Sequence, residues 1–566
     1  MKGETAFPLL LSDSRPLAAS LRSEIITDFD QLLSLEEAWS ELEEQSSSAT
    51  IFQSLSWTRA WWNAFGKHLS LATVVVRDGN GILGILPLLR SGGQLRFVGT
   101  PGADYCDCLC IEEIAPEVIA TALRALLKLD DWKTCRLANL RDESQFARHA
   151  GQLPKDVSEH FTLAPTAIRS ALVLGEERDK WIAAMRRKPA LKRHLNKLYR
   201  SGPVRFRHVE TREEAHKLLH TLFQHHIYRR AMAGEYSQFL SPDWREFYRA
   251  LVDELDLRNQ LRFSVLELDG KPVACHLGFE KHRTLVLYKP TFDIDAWELS
   301  PGDVLLSELL GYASERKLEE VDFTIGSEQY KEHFTNDSRD IYCGFLDRTP
   351  VRATLRRFVE PISHLTRSVP LRKAAQRLAR VMSRARASYR RTVHGFVSGL
   401  VYAPCGDSKS NSTTPETHPS PVPPLEMIRL SDLTALAIHQ PVLLEGQLLQ
   451  EYRARLRAGG RCYLLDNGNS PAMAWVRRVP LSPTQGCEKA IQADVLYDLR
   501  HVCTQEHCSL GLESLEWFTS LARGHGTLPW VCVSRFDHST RAIVEKAEFE
   551  YRKDLTQFVR KAIWQN

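Results

Sequence analysis

The sequence predicts a mixed α/β fold built from repeated units, and three observations carry that prediction. Residues 71–89, LATVVVRDGNGILGILPLL, and 261–279, LRFSVLELDGKPVACHLGF, each read as a strand, an acidic-glycine turn and a second strand. Each stretch is followed by an amphipathic helix, TALRALLKLDDW in one case and SPGDVLLSELLGYASERK in the other. Each helix is followed by a short strand, CRLANL or EVDFTIG. The likeness of the two stretches points to duplication within the chain, and 566 residues exceed what one core ordinarily fills.

Taken in order, LSLEEAWSELEEQ has helical period, and in FQSLSWTRAWWNAFG the aromatics Phe52, Trp57, Trp61 and Phe65 recur at roughly helical spacing. A hairpin with the turn Asp78-Gly79-Asn80-Gly81 follows. It feeds LRFVGTPGADYCDCL, where an extended strand would put Cys106, Cys108 and Cys110 on one face and Asp107 on the other, with Asp104 near its entrance. Cysteines one residue apart do not make the knuckle that tetrahedral thiolate sites use, so these read as small buried thiols and no metal is expected. DKWIAAMRRKPALKRHLNKLYR is basic and helical with a break at Pro189, and REEAHKLLHTLFQHHIYRR continues in helical period. Three strands then span LRFSVLELDGKPVACHLGFEKHRTLVLYKPTFD, turning first at Asp269-Gly270. Ser300 is available to cap the next helix, with Pro301 at its first position.

The units are placed at 1–170 and 171–346, followed by an arginine-rich helical segment at 347–400, a Pro/Ser/Thr linker at 401–424 and a last unit at 425–566. Between 351 and 394 the only acid is Glu360, against Arg352, Arg356, Arg357, Arg367, Arg372, Lys373, Arg377, Arg380, Arg384, Arg386, Arg390 and Arg391. Leu371, Ala375, Leu378, Met382, Ala385 and Tyr389 trace an apolar stripe beneath them. Such a helix packs on a domain with its arginines in solvent, or meets anionic lipid or nucleic acid through its charged face.

Composition excludes several classes. The chain is 43% hydrophobic and 25% charged with a net charge of +4, and no apolar run approaches the length of a membrane span. Its first residues, MKGETAFPLLLSDSRPL, carry hardly any apolar segment, and twelve scattered cysteines suit reduced thiols, so a cytoplasmic protein is expected.

VDFTIGSEQYKEHF is where chemistry is most expected. Asp322 and Thr324 share a strand face, a glycine ends the strand, and Tyr330 and Lys331 follow. Lys331 there is either a solvated surface lysine or a positive charge aimed at a phosphate, a carboxylate or the oxyanion of acyl transfer.

In FQSLSWTRAWWNAFG, the strand pair ending in ILGILPLL, LRFVGTPGADYCDCL, GKPVACHLGF, YKPTFDIDAWELSPGDVLLSELL and VDFTIGSEQYKEHF, in that order, the sequence resembles the CelD/BcsL-type acyltransferases of bacterial polysaccharide biosynthesis. These are relatives of the FemAB aminoacyltransferases, which are built on two acetyltransferase-like (GNAT) units. The resemblance implies tandem GNAT-like units and an acyl-CoA donor beside the helix opened by Ser300, Pro301 and Gly302. It also implies a functional role for Asp322 and Lys331, and a strand with Asp104 and Asp107 facing the cleft between units, suited to a sugar or other small acceptor. Tyr288, His276 and Tyr330 are further cleft candidates. Arg187, within the basic stretch 186–193, would hold the donor's phosphates or a polyanionic acceptor, or coat a helix.

The last unit resembles a single, degenerate acetyltransferase unit: its loop TQEHCSLGLE has only Gly511 where backbone amides would wrap pyrophosphate. His501, Cys503, His507 and Cys508 hold zinc-ligating atoms, but their spacing does not suit a site. The expected function is direct acyl transfer from the thioester to a hydroxyl or amine of a polysaccharide, glycolipid or precursor. The alternatives are transfer from aminoacyl-tRNA, as in the FemAB relatives, and a scaffold without chemistry. Association with anionic membrane through 351–394 is a further expectation, and no specific nucleic acid is expected.

Overall fold

The computed structural model describes residues 21–366, apart from 80, 177, 234, 327 and 329, together with shorter segments beyond 398, among them 399–404, 425–427, 429–439, 452–456, 458–465, 472–480, 492–501, 518–522, 528–534 and 549–551. The expected stripe from Leu371 to Tyr389, the linker 407–424, the loop 504–513 and residues Cys503, His507 and Cys508 lie outside the described residues. The chain divides into two compact units, Met1–Gln224 with Gln238–Leu371, and His225–Ser237 with Arg372–Asn566.

In the first unit an eleven-stranded sheet runs, from edge to edge, Val204–His208, Leu261–Leu268, Lys271–Lys281, Thr284–Phe292, Glu320–Ile325, Phe161–Val173, Asp337–Leu346, Thr134–Arg141, Gln94–Phe97, Leu88–Ser91 and Ser70–Leu71. A four-stranded sheet holds Leu21–Ile26, Thr73–Asp78, Gly81–Leu86 and Leu109–Cys110. Pro87 marks the point where one hairpin arm leaves the small sheet and continues in the large one.

Both halves follow one plan. Thr73–Asp78 pairs antiparallel with Gly81–Leu86, as Leu261–Leu268 does with Lys271–Lys281. Next comes a strand, a helix and a strand parallel to the first. Gln94–Phe97 lies parallel to Thr134–Arg141 around the helix Ala115–Lys128, and Thr284–Phe292 lies parallel to Glu320–Ile325 around Pro301–Glu315. The duplication read from the hairpins therefore extends through the crossover that follows them.

The boundary expected at 170/171 is corrected, because it falls inside the strand Phe161–Val173. That strand pairs with Glu320–Ile325 on one side and with Asp337–Leu346 on the other, and Asp337–Leu346 pairs in turn with Thr134–Arg141. The halves thus share one continuous sheet. An aromatic core also joins them: Trp57, fully buried, meets the rings of Phe279, Phe247 and Tyr288 edge-on at 5.7, 5.1 and 5.9 Å. The helix Leu55–Phe65 presents Trp57 because the Ser54 hydroxyl caps it, accepting the Trp57 N–H at 3.1 Å.

Two further expectations change. Only Leu109–Cys110 of the cysteine stretch is a strand; the chain before it is irregular, and Tyr105, Cys106, Asp107 and Cys108 are all buried, so the predicted two-faced alternation does not hold. Cys106, Cys108 and Cys110 are free, buried thiols. Ser300 precedes the helix Pro301–Glu315 but makes no side-chain cap; it sits in the left-handed region at φ 52° and accepts the Asp303 N–H on its carbonyl at 3.1 Å.

The second unit holds a seven-stranded sheet in the order Leu425–Met427, Gly460–Leu465, Ala472–Pro480, Gln492–His501, Leu528–Ser534, Gly399–Pro404 and Phe549–Tyr551, with Gln492–His501 parallel to Leu528–Ser534. The strand Gly399–Pro404 belongs to this sheet, so the expected start at 425 is too late. The order repeats that of the strands from Val204–His208 to Asp337–Leu346, including the strand that precedes the hairpin in sequence yet pairs beyond the parallel strand.

Candidate functional site

The parallel pairs place two comparable gaps in the first unit. Thr284–Phe292 and Glu320–Ile325 pair only as far as Val286 with Asp322, and Gln94–Phe97 and Thr134–Arg141 only as far as Arg96 with Arg136. Past those points each pair splays, and no further ladder pairing joins its two strands. Each splay contains a non-glycine residue in the left-handed region, Thr324 at φ 59° and Asn139 at φ 62°. For a β-branched residue such as Thr324 that is an unfavourable conformation, held by its surroundings.

The first-half gap is filled by the chain itself. The loop after Phe97 returns along the strand Thr134–Arg141, where the Cys106 N–H donates to the Asn139 carbonyl at 2.9 Å and Asn139 Nδ2 donates to the Ala103 carbonyl at 2.8 Å. The same loop turns Asp104 toward the second gap. Asp104 faces the Thr324 hydroxyl and lies near the ammonium groups of Lys289 and Lys331. Burial raises its pKa above the ordinary carboxylate range, while Lys289, Thr324 and Lys331 act in the opposite direction by favouring the ion.

Neighbouring groups hold this arrangement. The Tyr288 hydroxyl donates to the Gly102 carbonyl at 2.7 Å, two residues before Asp104. On the other side of Asp104, the Tyr105 hydroxyl donates to Asp322 Oδ1 at 2.7 Å, and the same oxygen accepts the Thr324 N–H at 2.7 Å. Asp322 Oδ2 lies 3.6 Å from Arg169, whose guanidinium is 1% exposed and also meets Glu320 at 2.8 Å and Glu143 at 3.3 Å. Asp322 is therefore committed on both oxygens, and the expected catalytic role is corrected to one of fixing the strand end and the loop. Burial, which raises its pKa, is opposed by Arg169 and these hydrogen bonds.

Lys331 is buried, and its ammonium meets the carbonyls of Thr324 at 3.4 Å and Ile325 at 3.2 Å and the carboxylate of Glu328 at 2.9 Å. These three partners hold the ammonium at the end of the strand. Lys331 thus fixes the end of the strand, and its positive charge favours the ionised form of Asp104. Asp107 is also corrected: it is buried beside the helix Gln145–His149 and accepts the Gln145 N–H at 2.7 Å. Burial pushes its pKa up to about 7.

His276 does not join the cleft. It is buried in the row His208, Ser264, His276 across neighbouring strands, beside His208 and the Val286 carbonyl, and burial lowers its pKa to about 3. Tyr288 is buried in the aromatic core and positions the loop through Gly102. Tyr330 is exposed beyond the splay. Gly302 packs close to Phe292, which an added Cβ would meet at 3.4 Å, so the start of its helix adjoins the splayed strand. Arg187 is exposed at the end of the helix Arg178–Arg186, while its neighbour Lys188 reaches the His333 carbonyl at 2.7 Å.

Sequence reasoning missed Lys289, Tyr105, Asn139 and Arg169. Lys289 and Tyr105 adjoin residues that it did select, and a lone charge within the mostly apolar stretch AIRSALV was a usable signal of a buried ion pair. Nothing local marks Asn139. Open surface hollows elsewhere, one lined by Glu210, Arg212, Glu254 and Arg258 and another by Leu153, Phe161 and Arg357, are built from other residues.

Residues 185–332 match the acetyltransferase (GNAT) domain family. The matched stretch includes Lys289, Gly302, Asp322, Thr324 and Lys331 but not Asp104, which the first half supplies. Among solved structures the chain is similar to FemX (8% identity, TM-score 0.42, 60% of this chain and 100% of that one) and to a tandem GNAT protein from the clavulanic acid biosynthesis pathway (14%, 0.34, 58% and 99%). It is also similar to a GCN5-related N-acetyltransferase from Kribbella flavida (9%, 0.28, 58% and 72%). No curated protein matches. By the match over 185–332, the chain carries a GNAT acetyltransferase domain and is an acyltransferase. No described helix is long and apolar enough to cross a membrane.

Proposed function

We propose that the chain transfers an acyl group from acyl-CoA to a hydroxyl or amine of a polysaccharide, glycolipid or related precursor, using one donor held in the splay past Val286 and Asp322. The observation that supports this reading is that Asp104, on a loop closing the other splay, faces this one beside Thr324 and Lys289. Asp104 is the general base. It takes the proton from the acceptor as the acceptor's oxygen or nitrogen attacks the thioester carbonyl; the carbon–sulfur bond then breaks and the CoA sulfur leaves as thiolate, to be protonated. Backbone N–H donors at the end of the strand Thr284–Phe292 meet the carbonyl oxygen as charge develops there. The start of the helix Pro301–Glu315 and the exposed Arg187 suit the donor's phosphates.

Calorimetric titration of the whole chain with acetyl-CoA and longer acyl-CoAs tests the donor, and turnover with sugar acceptors tests the reaction. Binding near one equivalent, kept in Asp104→Asn while turnover falls, is the expected result. Absence of binding for every acyl-CoA overturns it. Tight binding of charged tRNA at physiological salt would transfer the reading to an aminoacyl donor.

A further inference from the structure

We propose that the helix Pro350–Thr366 seats the protein on an anionic lipid surface through an apolar stripe that faces away from the body. This does not rest on the acyltransferase reading. The helix is anchored by polar groups where a surface helix ordinarily uses apolar ones. Arg356 donates to both oxygens of Asp347, at 2.9 and 3.0 Å, and its guanidinium lies 4.4 Å from the centre of the Phe345 ring. Arg357 donates to the carbonyls of Ser158 and, at 3.1 Å, Phe161, and Ala353 is fully buried.

The opposite side carries Val351, Leu355 and Phe358, exposed by 78%, 64% and 70%. Their spacing of four and three residues puts them in one line along a helix, the inverse of the usual amphipathic arrangement. In the sequence Ile362 and Leu365 follow at the same spacing. Large apolar side chains aligned in water mark a contact surface.

Charge selects the partner. Besides Arg356 and Arg357, which hold the helix to the body, the sequence from 352 to 391 carries ten lysines and arginines against Glu360 alone. A short apolar stripe binds a bilayer weakly by itself, and the basic residues that follow it in the sequence supply the second attraction that stable peripheral binding requires, provided the lipid is anionic. A nucleic acid would satisfy the charge but give Val351, Leu355 and Phe358 no apolar contact.

The test is flotation of the whole chain with phosphatidylcholine vesicles, with and without phosphatidylglycerol, at low and raised salt. The protein should float only with the phosphatidylglycerol vesicles and less so at raised salt. The triple variant Val351→Ser/Leu355→Ser/Phe358→Ser should lower its affinity for them by about tenfold or more. Since the three side chains are exposed, the variant should unfold at the same temperature as the native chain. No flotation with phosphatidylglycerol, or flotation that the triple variant leaves unchanged, overturns the proposal. So does a native dimer in light scattering that the triple variant dissolves, which would assign the stripe to a second copy.

Discussion

The Tyr105 hydroxyl donates to Asp322 Oδ1 at 2.7 Å, tying the loop of the first half to the strand end of the second across 217 positions of sequence. The residue before Tyr105 is the proposed base, and two residues after Asp322 comes Thr324, which faces that base. With the Tyr288 hydroxyl on the Gly102 carbonyl, this hydrogen bond sets the distance between the two sides of the site.

Tyr105→Phe removes that donor from a buried carboxylate that keeps its other partners, and should lower stability by about 1–3 kcal/mol. Asp322→Ala leaves Arg169 buried with fewer counter-charges and should lower it more, by about 3–5 kcal/mol. Urea unfolding measures both. Equal stability of Asp322→Ala and the native chain would remove Asp322 from this structural role.

Asp104→Asn should reduce turnover by about 10² to 10⁴-fold without loss of donor binding. Lys289 favours the ionised form of Asp104, so Lys289→Met should raise the Asp104 pKa further and shift the acid limb of the rate profile to higher pH. A limb that moves to lower pH, or stays, would separate Lys289 from the base.

Burial lifts the Asp107 pKa to about 7, against about 3.9 in an unfolded chain. Between those values the native state keeps a proton that the unfolded state has released, so this group makes stability fall as pH rises, with the full loss above pH 7. Asp107→Asn keeps an acceptor for the Gln145 N–H and should stabilise the protein at alkaline pH by on the order of 3 kcal/mol, with the gain vanishing near about pH 4. Unfolding followed across pH in both proteins measures the difference.

His276 works in the opposite direction. Burial lowers its pKa to about 3, against about 6.5 unfolded, so the unfolded state binds the extra proton and stability is lost as pH falls through that window. His276→Asn should flatten the acid side of the stability profile, and the thermal midpoints of the two proteins should diverge progressively below about pH 6.5. Parallel profiles would show that His276 is protonated in the fold.

Calorimetry should give one acyl-CoA per chain for the donor-binding reading, because Asn139 and its partners in the loop occupy the other splay of the first unit. A second equivalent would require that loop to leave, or a donor held by the second unit.

The sequence by itself determined the elements and their repetition. The Asp269-Gly270 turn, with both residues at positive φ, and the helical spacing in SPGDVLLSELLGYASERK are local properties, and each appears where expected. It also determined a short list containing Asp104. What it did not determine was the work of each charge, since burial and partners come from segments far apart in the chain. Asp322 and Lys331 occupy a strand end that reads as reactive, yet Tyr105, Arg169 and carbonyl oxygens hold them there. Asp107 lies three residues from Asp104 and sits against the Gln145 amide instead of the cleft, because the chain between them leaves extended geometry. Local pattern is written in backbone periodicity, whereas a free carboxylate is defined only by what fails to pack against it, and that is decided by the tertiary structure.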